Sequence, residues 1–345
     1  MPGSHRHVSC RKPHSVLNVL LLNAYAANHA ERLRQALTTP WVVHTVREEE
    51  AGAKLEAALR DADALVSTRY GSTLPPAPKL KLIQIPVAGH DRLDPVTIPP
   101  DCVVCNVHEH ETGISEYVML AMLDWNVRLS HLDASFRAGD WTGGVAVAGH
   151  THGELSGKKL GIIGFGRIGQ ALARRAKAFD MRVSAVTRAS RPSAQPLDEL
   201  AAMEHLDTLM AQSDFIVVTC PLNEETRGLI DARRLRLCKP SAVIVNVARA
   251  QVIEEEALYK ALHDRVIAGA VLDVWYSYPT PADQAARPSR FPFHELPNLI
   301  MTPHCSAWTD GLIERRWRFI AGNLDRFARN EELRNVVIRP KAAAQ

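Results

Sequence analysis

The sequence predicts an α/β protein whose second half is a doubly wound parallel sheet. Short apolar runs alternate along the chain with segments of helical periodicity, which is the pattern of βαβ units. One apolar run, residues 160–163, leads directly into a glycine-rich turn, and helical periodicity follows at residues 170–179. A strand, a glycine-rich turn and a helix in this order open a Rossmann unit.

The glycine-rich turn has the spacing Gly164-x-Gly166-x-x-Gly169. Gly164 allows the tight turn, Gly166 lets the backbone approach a pyrophosphate, and Gly169 lets the helix pack closely on the strand. The start of the helix, which includes Arg167 and Ile168, offers free N–H groups and the positive end of the helix dipole to phosphates. The spacing therefore predicts a dinucleotide site. A turn without a ligand is the alternative, and the strand and helix around the motif argue against it.

Length and composition limit the class of protein. The 345 residues suffice for two domains, and 46% apolar and 23% charged residues are typical of a globular chain. A formal net charge of +3 is too small to indicate a nucleic-acid surface, and no apolar run is long enough for a membrane-spanning helix. His108-x-His110 and His150-x-His152 have ligand-like spacing but no complete ligand set. We therefore expect no nucleic acid, membrane or metal as a partner.

The beginning of the chain and its cysteines bear on the compartment. Residues 1–15 are polar and basic, and we expect them to be disordered. The apolar run at residues 16–22 mimics a signal peptide, but Asn18 interrupts it and it serves well as a first buried strand. The six cysteines lack the spacing of a disulfide framework, and Cys102 and Cys105 should point to opposite faces of one strand. A reducing cytoplasm fits this pattern best.

The apolar runs also give the expected elements. The first third should contain strands at residues 16–22, 64–67, 82–85 and 103–106, and helices at 27–36 and 48–58. A long apolar helix should follow at about 115–132. The second half should contain the six strands of a doubly wound sheet, at residues 160–163, 182–186, 215–219, 242–247, 268–274 and 299–302. A final amphipathic helix is expected at 312–329.

The end of the second strand of this sheet bears on the choice of dinucleotide. In an NAD-binding unit this strand usually ends with an acidic residue that holds the ribose 2′-hydroxyl. Here Thr187 stands in that place, and Arg188 and Arg191 follow. A carboxylate would repel a 2′-phosphate, whereas a guanidinium can bind it through two parallel hydrogen bonds. NADP(H) is therefore the preferred cofactor, with NAD(H) as the alternative if the arginines are only a solvated basic loop.

Three later strands end with residues that can carry chemistry. Arg249 follows the strand at 242–247, Asp273 lies at the end of the next strand, and His304 follows the last one. Ligands of open α/β sheets bind outside the carboxyl ends of the strands. We therefore expect these three side chains to converge on the nicotinamide ring.

With these residues identified, the chain resembles the D-isomer-specific 2-hydroxyacid dehydrogenases, which include phosphoglycerate, D-lactate, glyoxylate/hydroxypyruvate and formate dehydrogenases. The resemblance extends from about residue 64 to residue 329, and several motifs occur in the family order. The matching positions are Gly164, Gly166, Gly169, Pro221-Leu222, Arg249, Asp273, Pro303-His304 and the loop Val87-Ala88-Gly89-His90-Asp91-Arg92-Leu93-Asp94.

The resemblance implies a role for each matching residue. His304 would give a proton to the substrate oxygen, which suits an imidazole of pKa near 6.5, and Arg249 would hold the carboxylate and polarise the carbonyl. Backbone N–H groups at Ala88 and Gly89 would bind the second carboxylate oxygen. Asp273 would accept a hydrogen bond from the nicotinamide carboxamide. Further cofactor contacts are expected at Pro221 and Ala248.

One position departs from the family pattern. The family has a glutamate that pairs with the histidine, and Tyr278 stands where this glutamate is expected. A carboxylate would raise the pKa of the histidine, whereas a neutral tyrosine can only orient the ring. Either Tyr278 bonds to His304 directly, or a carboxylate such as Asp283 or Glu295 replaces the missing acid. We therefore count Tyr278 with Arg249 and His304 as the catalytic residues.

Two alternative functions follow from this departure. Formate dehydrogenases also have a neutral residue, a glutamine, at this position, but the segment before Glu116 lacks the asparagine of that branch. A non-catalytic protein that senses NAD(P), like the corepressor members of the family, is the second alternative. The retention of both Arg249 and His304 argues against a sensor.

Taken with the resemblance, the sequence predicts an NADP-preferring oxidoreductase for small 2-oxo and 2-hydroxy acids. Glyoxylate and hydroxypyruvate are favoured because the substrate loop has no phosphate-binding cluster. The cofactor domain, residues 114–307, would be inserted into a flavodoxin-like substrate domain formed by residues 16–113 and 308–345. The resemblance also implies a homodimer built mainly on the cofactor domain.

Overall fold

A computed structural model of the protein describes residues 16–50, 52–89, 93–188, 196–280 and 283–340. The chain forms two compact units, one from the residues up to 109 and from 310 onward, the other from residues 110–309. The domain boundaries expected from the sequence, 113/114 and 307/308, stay a prediction and differ from the limits of these units by a few residues. Residues 1–15 and Arg191 lie outside the described residues. Within the described residues, no helix is both long and apolar enough to cross a membrane.

Strands and helices alternate through most of the chain. In chain order the strands are β1 (Leu17–Leu22), β2 (Trp41–Val46), β3 (Ala64–Val66), β4 (Leu82–Gln84), β5 (Val103–Cys105), β6 (Lys159–Ile163), β7 (Arg182–Thr187), β8 (Glu199–Ala202), β9 (Phe215–Val218), β10 (Val243–Asn246), β11 (Gly269–Leu272), β12 (Leu299–Met301) and β13 (Val336–Ile338). The α-helices are α1 (Ala24–Ala27), α2 (Ala30–Ala36), α3 (Ala53–Asp61), α4 (Glu111–Val127), α5 (Leu129–Arg137), α6 (Arg167–Lys177), α7 (Leu206–Gln212), α8 (Ala232–Leu235), α9 (Glu255–His263) and α10 (Asp310–Ala328).

The first unit has the flavodoxin-like strand order that the sequence predicts. Its sheet runs β13-β5-β4-β3-β1-β2, and every pair is parallel except β13 with β5. Without the antiparallel edge strand this is the order 2-1-3-4-5. Neighbouring residues of β1 enter different cores, Leu20 on one face and Leu21 on the other. The sheet is therefore covered on both faces, as expected when strands read as continuous apolar runs.

The second unit is a doubly wound sheet in which all strands are parallel. Its order is β12-β11-β10-β9-β6-β7-β8. Counted from β6, this is the Rossmann order 3-2-1-4-5-6 with one more strand at the far edge. The direction of winding reverses between β6 and β9, and the carboxyl ends of these two strands form the ligand-binding crevice in folds of this type. The predicted fold class is confirmed.

Three edge strands were not expected from the sequence, and one expected helix is divided into two. The prediction omitted β2, β8 and β13, which have polar or only partly buried residues and lie at the edges of their sheets. The apolar helix expected at 115–132 is two helices, α4 and α5. They are separated at Arg128, which has a left-handed backbone with φ of 55° and ends α4. Hydrophobicity alone does not reveal such a break, because apolar residues continue across it.

The cysteines of the described residues are all free. Cys102 packs into the core on one face of the first sheet and Cys105 into the core on the other face, as the strand geometry predicts. Burial raises the pKa of each thiol to about 12. These two residues are therefore inert packing groups rather than a redox pair.

Candidate active site

The glycine-rich turn lies at the point where the winding of the second sheet reverses. Gly164 follows β6 and has φ of 96°, a conformation that residues with side chains rarely adopt. A Cβ at Gly164 would lie 2.6 Å from the backbone nitrogen of Cys220, which follows β9. A Cβ at Gly169 would lie 2.6 Å from the carbonyl oxygen of Gly164. Both contacts are with backbone, so only glycine fits at these two positions.

Gly166 has a different environment from the other two glycines. A Cβ at Gly166 would have no protein atom within 4 Å. The residue is the N-cap of α6, and no side chain bonds to the first N–H groups of that helix. Open space beside the backbone, together with free N–H groups at a helix start, is what a pyrophosphate requires. The turn therefore fits the phosphates of a dinucleotide.

The other residues expected near the cofactor lie around this turn or at the ends of the neighbouring strands. Arg167 is exposed at the start of α6, 3.7 Å from Glu111, and Ile168 is partly buried beside it. Thr187 ends β7, and Arg188 after it is exposed. Pro221 is exposed just beyond β9, and its carbonyl accepts a hydrogen bond from Thr226 at 2.7 Å.

Arg249 is held by the end of β10. The side chain of Asn246, the last residue of that strand, accepts from the N–H of Ala248 at 3.1 Å and donates to the carbonyl of Arg249 at 3.1 Å. The guanidinium of Arg249 is exposed and donates to the carbonyl of Ala248 at 2.8 Å. Asn246 is a site residue that was not predicted, although a polar residue that ends an apolar strand is a recognisable signal in the sequence.

Asp273 accepts hydrogen bonds from the loop that contains His304. The residue follows β11 and is completely buried. Its carboxylate accepts from the hydroxyl of Thr302 at 2.6 Å and from the N–H groups of Cys305 at 2.8 Å and Ser306 at 2.9 Å. We expected this carboxylate to accept from a nicotinamide carboxamide, and that contact stays a prediction. The hydrogen bonds in the structure instead make Asp273 the anchor of the segment around His304.

His304 occupies an unusual backbone conformation in this loop. Its φ is 61°, in the left-handed region, and its N–H donates to the carbonyl of Thr302 at 3.0 Å. The Nδ1 atom lies 2.8 Å from the hydroxyl oxygen of Tyr278. That hydroxyl also accepts from the N–H of Trp275 at 3.1 Å. Of the two hypotheses for the missing glutamate, the structure has the direct contact between Tyr278 and His304.

The two carboxylates of the other hypothesis have different neighbours. Asp283 accepts from the N–H of Ala285 at 3.2 Å, and the carboxylate of Glu295 lies 3.7 Å from His294. No contact of either acid with His304 occurs within the described residues. The replacement of the glutamate by a distant acid is therefore wrong.

The charges near His304 act in opposite directions. Burial lowers the pKa of His304 below its ordinary value and Arg249 lowers it further, whereas the negative charge of Asp273 opposes them. Burial raises the pKa of Tyr278, although the hydrogen bond from Trp275 and the charge of Arg249 counteract this effect. The net shifts favour the uncharged form of both side chains.

A second layer of hydrogen bonds supports the same loop. The hydroxyl of Thr302 donates to Asp273, so it accepts from the hydroxyl of Tyr117 at 2.7 Å. The indole nitrogen of Trp275 donates to the carbonyl of Thr302 at 2.8 Å. Burial raises the pKa of Tyr117 to about 12. Tyr117 and Thr302 were not predicted as site residues, because nothing in the local sequence pattern places one beside the other.

The loop expected to bind the substrate carboxylate lies in the first unit. Asn106 donates to the carbonyl of Ala88 at 2.7 Å, which ties this loop to the end of β5. Among the described residues, the N–H groups of Ala88 and Gly89 have no hydrogen-bond partner. Both are therefore available to an anion, and their role in substrate binding stays a prediction. Residues 90–92 of the loop lie outside the described residues.

A doubly wound parallel sheet with this turn, and with an arginine and a histidine beyond the ends of β10 and β12, defines a nicotinamide-dependent dehydrogenase. Comparisons with known proteins narrow the class. Residues 119–306 match the family model of the D-isomer specific 2-hydroxyacid dehydrogenase, NAD binding domain. Glyoxylate reductases of Thermococcus gammatolerans and Thermococcus kodakarensis are 36% and 35% identical, and each match covers 79% of this chain and 82% of the relative.

A solved structure gives the same assignment. The D-isomer specific 2-hydroxyacid dehydrogenase family protein of Aeromonas salmonicida is 30% identical, with a TM-score of 0.78 over 94% of this chain and 99% of that chain. The chain belongs to the D-isomer-specific 2-hydroxyacid dehydrogenase family. It is an NAD(P)-dependent D-2-hydroxyacid dehydrogenase.

Two glycines of the turn, Gly166, which is exposed, and Gly169, which is buried, give a test of the cofactor site. Gly166→Val should leave the free energy of unfolding within about 0.5 kcal/mol of the wild type, because the new side chain meets open space. It should weaken NAD(P)H binding at least about tenfold, because the side chain takes the place of the pyrophosphate. Gly169→Ala should instead destabilise the fold by about 1–3 kcal/mol. Urea unfolding and fluorescence titration with NADH and with NADPH measure the two effects, and unchanged binding by Gly166→Val would contradict the assigned site.

Proposed function

We propose that the protein reduces a small 2-oxo acid, of the size of glyoxylate or hydroxypyruvate, to the corresponding 2-hydroxy acid, the D isomer where that product is chiral, with NADPH as the preferred reductant. The observation that carries the proposal is the placement of Arg249 beyond β10 and of His304 beyond β12, close enough for the charge of Arg249 to lower the pKa of His304. Two relatives that are 36% and 35% identical are named glyoxylate reductase, which supports a small substrate.

The side chains have the properties that this reaction needs. The bound nicotinamide supplies the hydride that reaches C2 of the 2-oxo acid. Arg249 is exposed, so its guanidinium can bind the substrate carboxylate and stabilise negative charge that develops on the carbonyl oxygen. The Nε2 atom of His304 has no partner among the described residues, whereas Nδ1 is engaged by Tyr278. His304 is therefore oriented to exchange a proton with the substrate through Nε2.

NADPH oxidation with a panel of 2-oxo acids tests this function. Glyoxylate or hydroxypyruvate should be reduced, and formate with NADP⁺ should give no turnover. His304→Gln should lower kcat/KM by about 10²–10⁴-fold, because the proton donor is lost. Arg249→Lys should raise KM as well as lower kcat, because a single ammonium cannot make the two parallel bonds of a guanidinium. His263→Gln, an exposed histidine paired with Asp264, is the control and should keep full activity. Full activity of His304→Gln would contradict the proposal.

The preference for NADPH is proposed from the end of β7. Thr187 is the last residue of that strand, and Arg188 beside it is exposed. No carboxylate stands at the strand end to repel a 2′-phosphate, and the guanidinium can bind one.

Reversal of this charge pattern should reverse the cofactor preference. Thr187→Asp with Arg188→Ala should raise the KM for NADPH by about 10–100-fold, because a charge-assisted hydrogen bond of about 1.5–3 kcal/mol is lost and a repulsion is gained. The KM for NADH should change little or fall. Arg182→Ala, an exposed arginine at the start of β7, is the matched control. Equal KM values for NADPH and NADH in the wild type would show that the basic loop does not discriminate between the two cofactors.

We also propose that the protein is a homodimer formed through α5 and the segment after it. Helix α5 has no buried residue. Large apolar side chains of this segment are exposed, at Leu129, Phe136, Trp141, Val145 and Val147. A patch of this kind on a protein surface marks an interaction site, and one continuous segment can serve both subunits of a two-fold interface.

Light scattering coupled to size-exclusion chromatography measures the oligomeric state. The wild type should elute with the mass of a dimer. Trp141→Glu with Val145→Glu should yield a monomer, because a charge in the centre of an apolar interface is left unpaired. Val96→Glu changes a residue of the first unit that is equally exposed, and it should remain a dimer. A dimeric Trp141→Glu, Val145→Glu variant would exclude this surface.

A further inference from the structure

We propose that Tyr278 supplies the proton that His304 delivers: the phenolic proton moves to Nδ1 of His304 while the Nε2 proton moves to the substrate oxygen. Tyr278 would thus be a proton-relay residue rather than a substitute that only orients the ring. This inference rests on the proposed reduction of a 2-oxo acid.

The direction of the hydrogen bonds around Tyr278 carries the proposal. The N–H of Trp275 can only donate, so the hydroxyl oxygen of Tyr278 accepts in that bond, at 3.1 Å. Among the described residues, the acceptor left for the phenolic proton is Nδ1 of His304, at 2.8 Å. A neutral imidazole that accepts at Nδ1 has its own proton on Nε2. The proton is then on the nitrogen that has no protein partner.

The electrostatic surroundings favour a neutral histidine. Arg249 beyond β10 and Asp273 beyond β11 are the charged groups that act on His304, and burial together with Arg249 outweighs Asp273, so the pKa lies below the ordinary value. The neighbouring Cys305 is a thiol whose pKa is raised by burial. Tyr117, which reaches the loop through Thr302, is also neutral. These surroundings favour the neutral imidazole, and a neutral imidazole that gives away its Nε2 proton needs a second proton at Nδ1 to stay neutral.

The relay balances protons and electrons. Hydride reaches C2, the π electrons of the carbonyl move to its oxygen, and that oxygen takes the proton from Nε2. Nδ1 takes the proton of Tyr278, so the imidazole stays neutral and the phenol becomes a phenolate. Burial and the charge of Asp273 disfavour this phenolate and raise the pKa of Tyr278, whereas the N–H of Trp275 and the charge of Arg249 partly offset them. Both side chains are accessible to water. Once the product has left, water protonates Nε2 of His304 and the Nδ1 proton returns to Tyr278, which restores the starting tautomer. The sum is one hydride and one water-derived proton added to the substrate.

The tautomer of His304 tests the first step without any substrate. Long-range ¹H–¹⁵N spectra of the protein labelled at histidine, taken from pH 5 to pH 9, should show the Nε2–H tautomer of neutral His304 and a pKa below 6.5. His304→Gln assigns the signal. A neutral tautomer with its proton on Nδ1 would overturn the relay, because Tyr278 would then accept from the ring instead of donating to it.

The pH dependence of the chemical step tests the transfer itself. Single-turnover reduction by the wild type should keep the same rate through the pKa of His304. Tyr278→Phe should lose rate about tenfold per pH unit above that pKa, since only an imidazolium can then donate. Tyr278→Glu should also lose rate with pH, but from a higher pH, because a carboxylate raises the pKa of the histidine.

A neighbouring tyrosine provides the matched control. Tyr276 donates to the carbonyl of Ile253 at 2.9 Å, so Tyr276→Phe removes a buried hydroxyl of the same segment without touching His304. It should keep the wild-type pH profile. A wild-type rate that falls above the pKa of His304, or a Tyr278→Phe profile with the wild-type shape, would overturn the relay while the proposed reduction stands. Absence of turnover with every 2-oxo acid, at every pH, would overturn both.

Discussion

The buried carboxylate of Asp273 constrains the geometry of the whole site. Its two oxygens accept three hydrogen bonds from residues 302, 305 and 306, and the residue is completely buried. Loss of these donors would leave an unpaired charge in the interior, which costs several kcal/mol. The loop between the donors consequently has little freedom. His304 lies within it at φ of 61°, a conformation that costs an ordinary residue about 1–2 kcal/mol, and the carboxylate offsets that cost.

The same charge also bears on proton chemistry. Asp273 is the negative group that raises the pKa of His304, whereas burial and Arg249 lower it and prevail. A glutamate paired with the histidine would add a second negative charge and restore a higher pKa. Tyr278 adds none. The chain therefore retains Arg249 and His304 but combines them with a neutral partner, Tyr278. In the proposed relay, the proton for the substrate is replaced through the hydrogen bond from Tyr278, and His304 does not have to be protonated beforehand.

The strands that could be predicted from the sequence are those that are buried on both faces of their sheets. Strands β9, β10 and β11 are fully buried and apolar except for Asn246 at the end of β10, so the composition of each run reveals them without tertiary information. Strand β2 alternates partly buried and exposed residues, and β8 is a short edge strand with Glu199 exposed. Within the described residues, strand β2 pairs only with β1 and strand β8 only with β7, so each is an edge strand with a single neighbour. An edge strand does not need a continuous apolar run, which is why these strands were missed.

The site residues also fall into those that the sequence locates and those that only the packing brings together. Gly164, Arg249 and His304 follow directly from strand ends, because parallel strands bring their carboxyl ends to one edge of the sheet, and sequence therefore locates them. The contact of Tyr117 with Thr302 joins residues 185 positions apart and depends on how α4 packs, which no local pattern encodes. Position 278 is intermediate. The sequence identifies it as a departure, but its chemistry depends on contacts that only the fold supplies, namely the N–H of Trp275 that donates to the hydroxyl and the Nδ1 atom of His304 beside it.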